Sequence, residues 1–200
     1  MSAQPRFDQP WMSIDDYLAA ELISDSKHEY FDGAIYAMSG ASRNHERIAL
    51  NVASEFRTHL RGKPCEPFSS DLKIKVGNYL FYPDAMVVCD DTQPHEVYTE
   101  TPALIVEVLS KSTRRIDETL KRRLYQTIPT LREYVLIEQD IVDIEICRRS
   151  EGWVSNHYFL GDQATFESID LTIDVAELYA RVENDDMKCF MAERQAAGQS

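Results

Sequence analysis

Apolar positions recur along the chain with two different periods. Between residues 44 and 60, Ile48, Val52, Phe56 and Leu60 repeat every four positions, which puts one apolar stripe on a helix. Asn44 supplies the N-cap, and Gly62 and Pro64 end the helix. His45 lies at its start, near the same face. Residues 13–22 (SIDDYLAAEL) read as a shorter helix, with Ser13 at the N-cap and Asp16 placed to close a capping box. Residues 27–32 and 34–38 read as two strands around a tight turn at Asp32-Gly33. A helix over 113–127, stopped by Pro129, is expected to bury Ile116, Leu120 and Leu124.

Other segments carry the period of strands. Residues 71–76 (DLKIKV) alternate, with Leu72, Ile74 and Val76 on one side and Lys73 and Lys75 on the other. Residues 79–82 and 85–89 read as one bent strand interrupted by Pro83, and residues 90–102 as a polar loop. Residues 103–109 (ALIVEVL) form the most apolar short run, with the length and β-branched content of a strand buried on both faces. Residues 132–137 make the next strand. Residues 142–148, 153–160 and 165–169 read as an antiparallel extension of the sheet, and 174–179 as a final helical turn. The order predicts an α/β fold: a mixed central β-sheet flanked by helices, in which a helix crosses from one central strand to the next. A single domain is expected over 1–182. The polar tail 183–200 is expected as a frayed helix or disorder.

Inside ALIVEVL sits one carboxylate, Glu107. A charge in a low-dielectric interior must be neutralised, paired or metal-bound; a purely structural partner would be Arg114 or Arg115. Asp84 follows Pro83, whose ring cannot donate to a sheet ladder and marks an edge or bend. Neighbouring strands lie about 4.8 Å apart, so carboxylates at matching heights can share a hard cation such as Mg²⁺. Asp71 opens DLKIKV, and Glu29 lies in HEYFDG. Their plain alternatives are a turn acid and a solvent-facing strand residue. Lys121, four residues after Asp117, is either half of a solvated ion pair or a group that holds or activates a water at the mouth of the site. His45 contacts substrate or is a partly buried capping histidine.

Composition tempers this chemistry. The 200-residue chain has a formal net charge of −13, which repels a phosphate backbone at long range. A bound metal and a local basic patch would overcome that. Arg114, Arg115, Lys121, Arg122 and Arg123 are the one dense basic cluster. Cys65, Cys89, Cys147 and Cys189 are scattered without CxxC spacing, so free, mostly buried thiols are expected. No apolar run approaches the ~20 residues of a membrane span. Residues 1–10 lack the apolar stretch of a signal peptide, so a cytoplasmic location is expected.

The segments HEYFDGAIYAMSGAS, NHERIALNV, SSDLKIKV, YPDAMVVCDD, PALIVEVLSKSTRRID and LKRRLYQTIPTLREYVLI, in that order, resemble the Uma-two family of restriction endonucleases. This is a bacterial group within the PD-(D/E)XK nuclease superfamily. The resemblance implies a restriction-endonuclease-like core and a phosphodiesterase dependent on Mg²⁺, with Mn²⁺ as substitute. It implies Asp84 and Glu107 as the metal-holding pair, with Asp71 and Glu29 as supporting acids. The superfamily's lysine sits two residues beyond the glutamate, where this chain has Leu109, and the family pattern offers Lys121 as a relocated lysine. The activity implied is an endonuclease acting on DNA rather than RNA, in a possible homodimer. The alternative is a nuclease-fold binding or regulatory module that has lost turnover, motivated by Leu109 and the acidic charge. A two-carboxylate glycosidase explains the acids but not the basic helix.

Overall fold

The computed structural model describes residues 11–92 and 94–197. The chain opens with helix α1 (Ile14–Glu21), strands β1 (His28–Phe31) and β2 (Ala34–Ala37), and helix α2 (Arg43–His59). Strands β3 (Glu66–Ser69), β4 (Lys73–Val76), β5 (Tyr79–Phe81), β6 (Ala85–Val88), β7 (Tyr98–Thr99) and β8 (Pro102–Leu109) follow. Next come α3 (Arg114–Ile116), a π turn (Asp117–Lys121) and α4 (Arg122–Tyr125), which run on from one another. Strands β9 (Glu133–Glu138), β10 (Ile144–Arg148), β11 (Ser155–Tyr158), β12 (Gln163–Phe166) and β13 (Leu171–Asp174) precede helices α5 (Val175–Leu178) and α6 (Asp185–Ala197).

The larger sheet has the order β11-β10-β9-β8-β6-β3. Only β8 and β9 in it run parallel, and the α3–α4 segment makes the crossover between them. The rest is antiparallel; of the expected extension, 142–148 and 153–160 join it through β10 and β11, whereas β12 pairs with β13 in a separate two-stranded sheet. All eight positions of β8 are buried, which is why its sequence reads as a continuous apolar run rather than an alternation. On one face Ile48, Val52 and Phe56 of α2 pack against Val87, Leu104, Val106, Val108 and Val135. On the other, Met86, Ile105, Leu109 and Leu136 meet Ile74 and Phe81 of a smaller sheet, together with Tyr125. That smaller sheet has the order β2-β1-β5-β4-β7. Its β1–β2 turn is tight: Asp32 and Gly33 both have positive φ, 46° and 99°, as an Asp-Gly hairpin turn requires.

Several expectations need correction. Residues 79–89 are not one bent strand. β5 belongs to the smaller sheet and β6 to the larger, and the chain changes sheets at Tyr82, Pro83 and Asp84. Strands β3, β7 and β13 carry no sequence signal strong enough to predict them. The N-cap of α2 is Ser42, whose Oγ accepts the His45 N–H. Asn44 instead bonds the Glu183 backbone through both its amide atoms, at 3.0 Å each. In the crossover the buried positions are Asp117, Lys121 and Tyr125. The expected apolar stripe is turned by one residue, leaving Ile116 37% exposed.

The four cysteines are not all free. Cys65 and Cys89 form a disulfide, because the β3/β6 register pairs Glu66 with Val88 and its next step sets the two thiols abreast. Cys147 is buried and Cys189 exposed as free thiols. The tail also has more order than its composition suggests. Asn184 accepts the Met187 N–H at 2.9 Å and so starts α6. Asp186 accepts the Val142 N–H at 2.8 Å, and Met187 joins the core. Among the described residues no helix is long and apolar enough to cross a membrane.

Candidate active site

Three elements converge on one ammonium group. β8 carries Glu107, β1 carries Glu29, and the π turn carries Asp117 and Lys121. Lys121 Nζ lies 2.9 Å from Glu29 Oε1, 3.1 Å from Glu107 Oε1 and 3.1 Å from Asp117 Oδ1. Only Glu29, at 12% side-chain exposure, keeps any notable contact with solvent. Tyr125, one turn beyond Lys121, donates its hydroxyl to Glu107 Oε1 at 3.0 Å. The Tyr82 N–H donates to Glu29 Oε1 at 3.2 Å. Tyr134 on β9 donates its hydroxyl to the Asp117 carbonyl at 3.1 Å. Phe81 covers the ammonium, its ring centre 5.4 Å away.

Asp84 joins this group from the start of β6. The β6/β8 register pairs Ala85 with Val106, and one further step sets Asp84 opposite Glu107. Opposite residues of an antiparallel pair point to the same face. Asp84 Oδ2 accepts the Val108 N–H at 2.7 Å and lies 3.3 Å from His45 Nε2. His45 reaches it from the first turn of α2. That turn is fastened in place: Ser42 Oγ donates to Gln139 Oε1, and Gln139 Nε2 donates to the Leu109 carbonyl at 2.8 Å. The start of α2 is therefore tied to the ends of β8 and β9.

The electrostatics follow from crowding. Burial disfavours ionisation of Glu107, and the charges of Asp117, Asp84 and Glu29 add to this. Lys121 opposes the shift without cancelling it, so its carboxyl titrates well above the usual carboxylate range. Glu29 is raised for the same first reason, burial, against the pull of Lys121. Burial alone would push the Lys121 ammonium down. Its three carboxylate neighbours prevail and hold it well above the ordinary lysine value. Burial also opposes charging His45, but the hydrogen bond to Asp84 and its charge outweigh that and raise it. The cluster thus has one permanent cation among four acids, and its excess negative charge calls for protons or a further cation.

Five of the expected site residues therefore meet: Glu29, His45, Asp84, Glu107 and Lys121. Asp71 does not join them. Its side chain is 87% exposed and pairs with Lys27 at 2.5 Å, because the turn before β4 leaves it outside the sheet. Arg114 does not neutralise Glu107 either; it pairs with Glu138 and Glu118. Arg122 likewise pairs with Glu145 at 2.7 Å. Two members were missed as site residues. Asp117 read as half of a solvated pair with Lys121, and Tyr125 read as an unremarked helix position. Their signals were the spacing, four residues to either side of Lys121, and their place in the segments that carry the family resemblance.

A metal can be tested against these donors. Among the described residues no three His, Cys, Asp or Glu side chains surround a common point as in an all-protein cage; the Lys121 ammonium takes that place. Asp84 and Glu107, abreast on neighbouring strands, still fit a hard cation of the kind that binds through one or two carboxylates and completes its shell with water and substrate oxygens.

Known proteins resemble this chain in sequence and in fold. The model of the family described as "Uma2: Putative restriction endonuclease" matches residues 14–176. Protein slr1290 of Synechocystis sp., described as uncharacterized, is 39% identical over 175 residues, which cover 85% of this chain and 92% of that protein. A second Synechocystis protein, sll1609, is 34% identical over 135 residues, 65% of this chain and 76% of its own length. Among solved structures, the crystal structure of a nuclease, termed putative, from Anabaena variabilis (DUF820) superposes with a TM-score of 0.71. It covers 86% of this chain and 99% of its own at 15% identity, a likeness of fold.

Proposed function

We propose, since the chain belongs to the Uma2 family, that it is a metal-dependent endonuclease that hydrolyses phosphodiester bonds, in DNA rather than RNA. The observation that carries the reading is the placement of Asp84 opposite Glu107, with Lys121 Nζ 3.1 Å from Glu107. Asp84 and Glu107 would hold Mg²⁺ or Mn²⁺. Bound there, the cation supplies charge stabilisation for the scissile phosphate and makes water a better nucleophile.

The chain's own residues do the rest. Val108 and His45 orient the Asp84 carboxylate, and Tyr125 orients that of Glu107. Lys121 presents a permanent ammonium at the edge of the acid pair, where it orients water or an oxygen of the phosphate. Leu109, at the superfamily's usual lysine position, is buried in the core. The ammonium would come instead from Lys121 of the crossover helix, 3.1 Å from Glu107.

The test is cleavage of single- and double-stranded DNA and of RNA by purified protein with Mn²⁺. Wild type is expected to cut DNA, and Asp84→Ala to lose the activity. No cleavage by wild type, or equal cleavage by Asp84→Ala, overturns the reading. One observation favours a binding module instead: the Lys121 ammonium already has three carboxylates within 3.1 Å. Absent cleavage together with absent Mn²⁺ binding would select that alternative.

A further inference from the structure

Asp117 is the member of the cluster that the function above does not use. Its side chain is 2% exposed. Its Oδ1 has no hydrogen-bond partner among the described residues, only the ion-pair contact with Lys121 at 3.1 Å. A buried carboxylate oxygen held by an ion-pair contact alone is costly to desolvate, and the contact through which Asp117 Oδ1 acts is the one with Lys121.

The backbone around it is unusual. The Arg122 N–H bonds the Asp117 carbonyl five residues back, which makes one wide π turn inside the helix. Such turns are rare and gather at functional sites. The same carbonyl accepts the Tyr134 hydroxyl. Tyr134 is itself fully buried on β9, so the sheet holds the wide turn open. The turn sets the angle at which Asp117 and Lys121 face each other. Glu29 and Glu107 come from strands of different sheets, so Asp117 is the one partner that travels with the lysine on its own helix.

We propose that Asp117 is a positioning residue for Lys121, aiming its ammonium at Glu107, and that the Tyr134 hydroxyl supports this by fixing the π turn. The inference rests on the reading of Lys121 as the working lysine of the site. A merely structural ion pair would serve equally well with the ammonium elsewhere along Glu107. The positioning role requires one defined ammonium location that changes when Asp117 changes.

The experiment is ¹⁵N NMR of the Lys121 side-chain ammonium in metal-free protein, with the amide spectrum recorded alongside as a check on folding. Wild type is expected to give a slowly exchanging ammonium signal. Asp117→Asn keeps the shape and removes the charge. It is expected to shift that signal and to speed its exchange with water by about tenfold, the scale of one close ion-pair contact. Tyr134→Phe, which removes the hydroxyl bonded to the Asp117 carbonyl, is expected to shift the signal in the same direction by less. If both variants fold and the signal keeps its wild-type position and exchange rate, the proposal is overturned. Should Asp117→Asn fail to fold, Tyr134→Phe decides alone by the same criterion. Wild-type cleavage assays stay independent: their failure removes the nuclease reading and leaves the placement of the ammonium as measured.

Discussion

Asp84 accepts the backbone N–H of Val108 at 2.7 Å, so the acid at the start of one strand is fastened beside the residue that follows Glu107 on the next. The sheet register itself sets the two residues opposite each other. Asp71, exposed and paired with Lys27, has no such tie. Calorimetry with Mn²⁺ is expected to show affinity reduced at least about 100-fold in Asp84→Ala and in Glu107→Ala, beyond the cost of losing an outer-shell partner. Asp71→Ala is expected to change it by no more than about twofold. Equal losses in Asp71→Ala and Asp84→Ala would contradict the placement.

Removing the central ammonium leaves three buried carboxylates facing one another. Lys121→Met is expected to cost about 3–5 kcal/mol near neutral pH, the range for breaking a buried ion pair by deleting one partner. Urea unfolding measures it. The penalty should shrink in mild acid, where Glu29 and Glu107 take up protons more readily than ordinary carboxylates.

The same groups set how stability depends on pH. Glu29 and Glu107 titrate above 4.5 in the folded chain, so folding favours their protonated forms. Their contribution is complete below 4.5 and is lost as pH rises through the folded values. His45, raised above 6.5, acts with the same sign: complete below 6.5 and lost as pH rises through its folded value. The urea midpoint of metal-free protein is therefore expected to fall as pH rises above 4.5 and on above 6.5. Glu107→Gln should flatten that slope, and so should saturating Mn²⁺. A midpoint that climbs over this range would count against the assignment.

The Cys65–Cys89 bond closes a loop with a sequence separation of 24. Loop-closure entropy predicts that opening it costs about 3.5 kcal/mol. Thermal unfolding with and without dithiothreitol measures that loss. Cys65→Ser should reproduce the reduced protein, and reductant should then have no further effect.

Much of this was legible in the residues. Glu107 inside ALIVEVL and Asp84 after Pro83 stood out because each breaks a local rule, a charge in an apolar strand and a proline before one. The capping box of Ser13 and the Asp32-Gly33 turn announced α1 and the first hairpin. What stayed hidden was long-range. Cys65 and Cys89 meet only through the pairing of β3 with β6, and β3 has too few apolar positions to read as a strand. The inward face of the crossover helix misled for a deeper reason. Hydrophobic periodicity assumes that what is buried is apolar, and here Asp117 and Lys121 are buried as part of an ion-paired cluster. Asp71 erred the other way: it has the right residue type and family position, but the turn before β4 leaves it in solvent.

The step through Tyr82, Pro83 and Asp84, where the chain leaves one sheet and enters the other, has an electrostatic consequence. Glu29 rides on the small sheet, whereas Asp84 and Glu107 ride on the large one. The seam between the two layers thus runs through the acid cluster itself. Asp84 and Glu107 share one sheet and one register and are joined through the Asp84–Val108 bond, whereas Glu29 reaches Lys121 only across the seam, so the ammonium is a point at which the two layers are electrically tied.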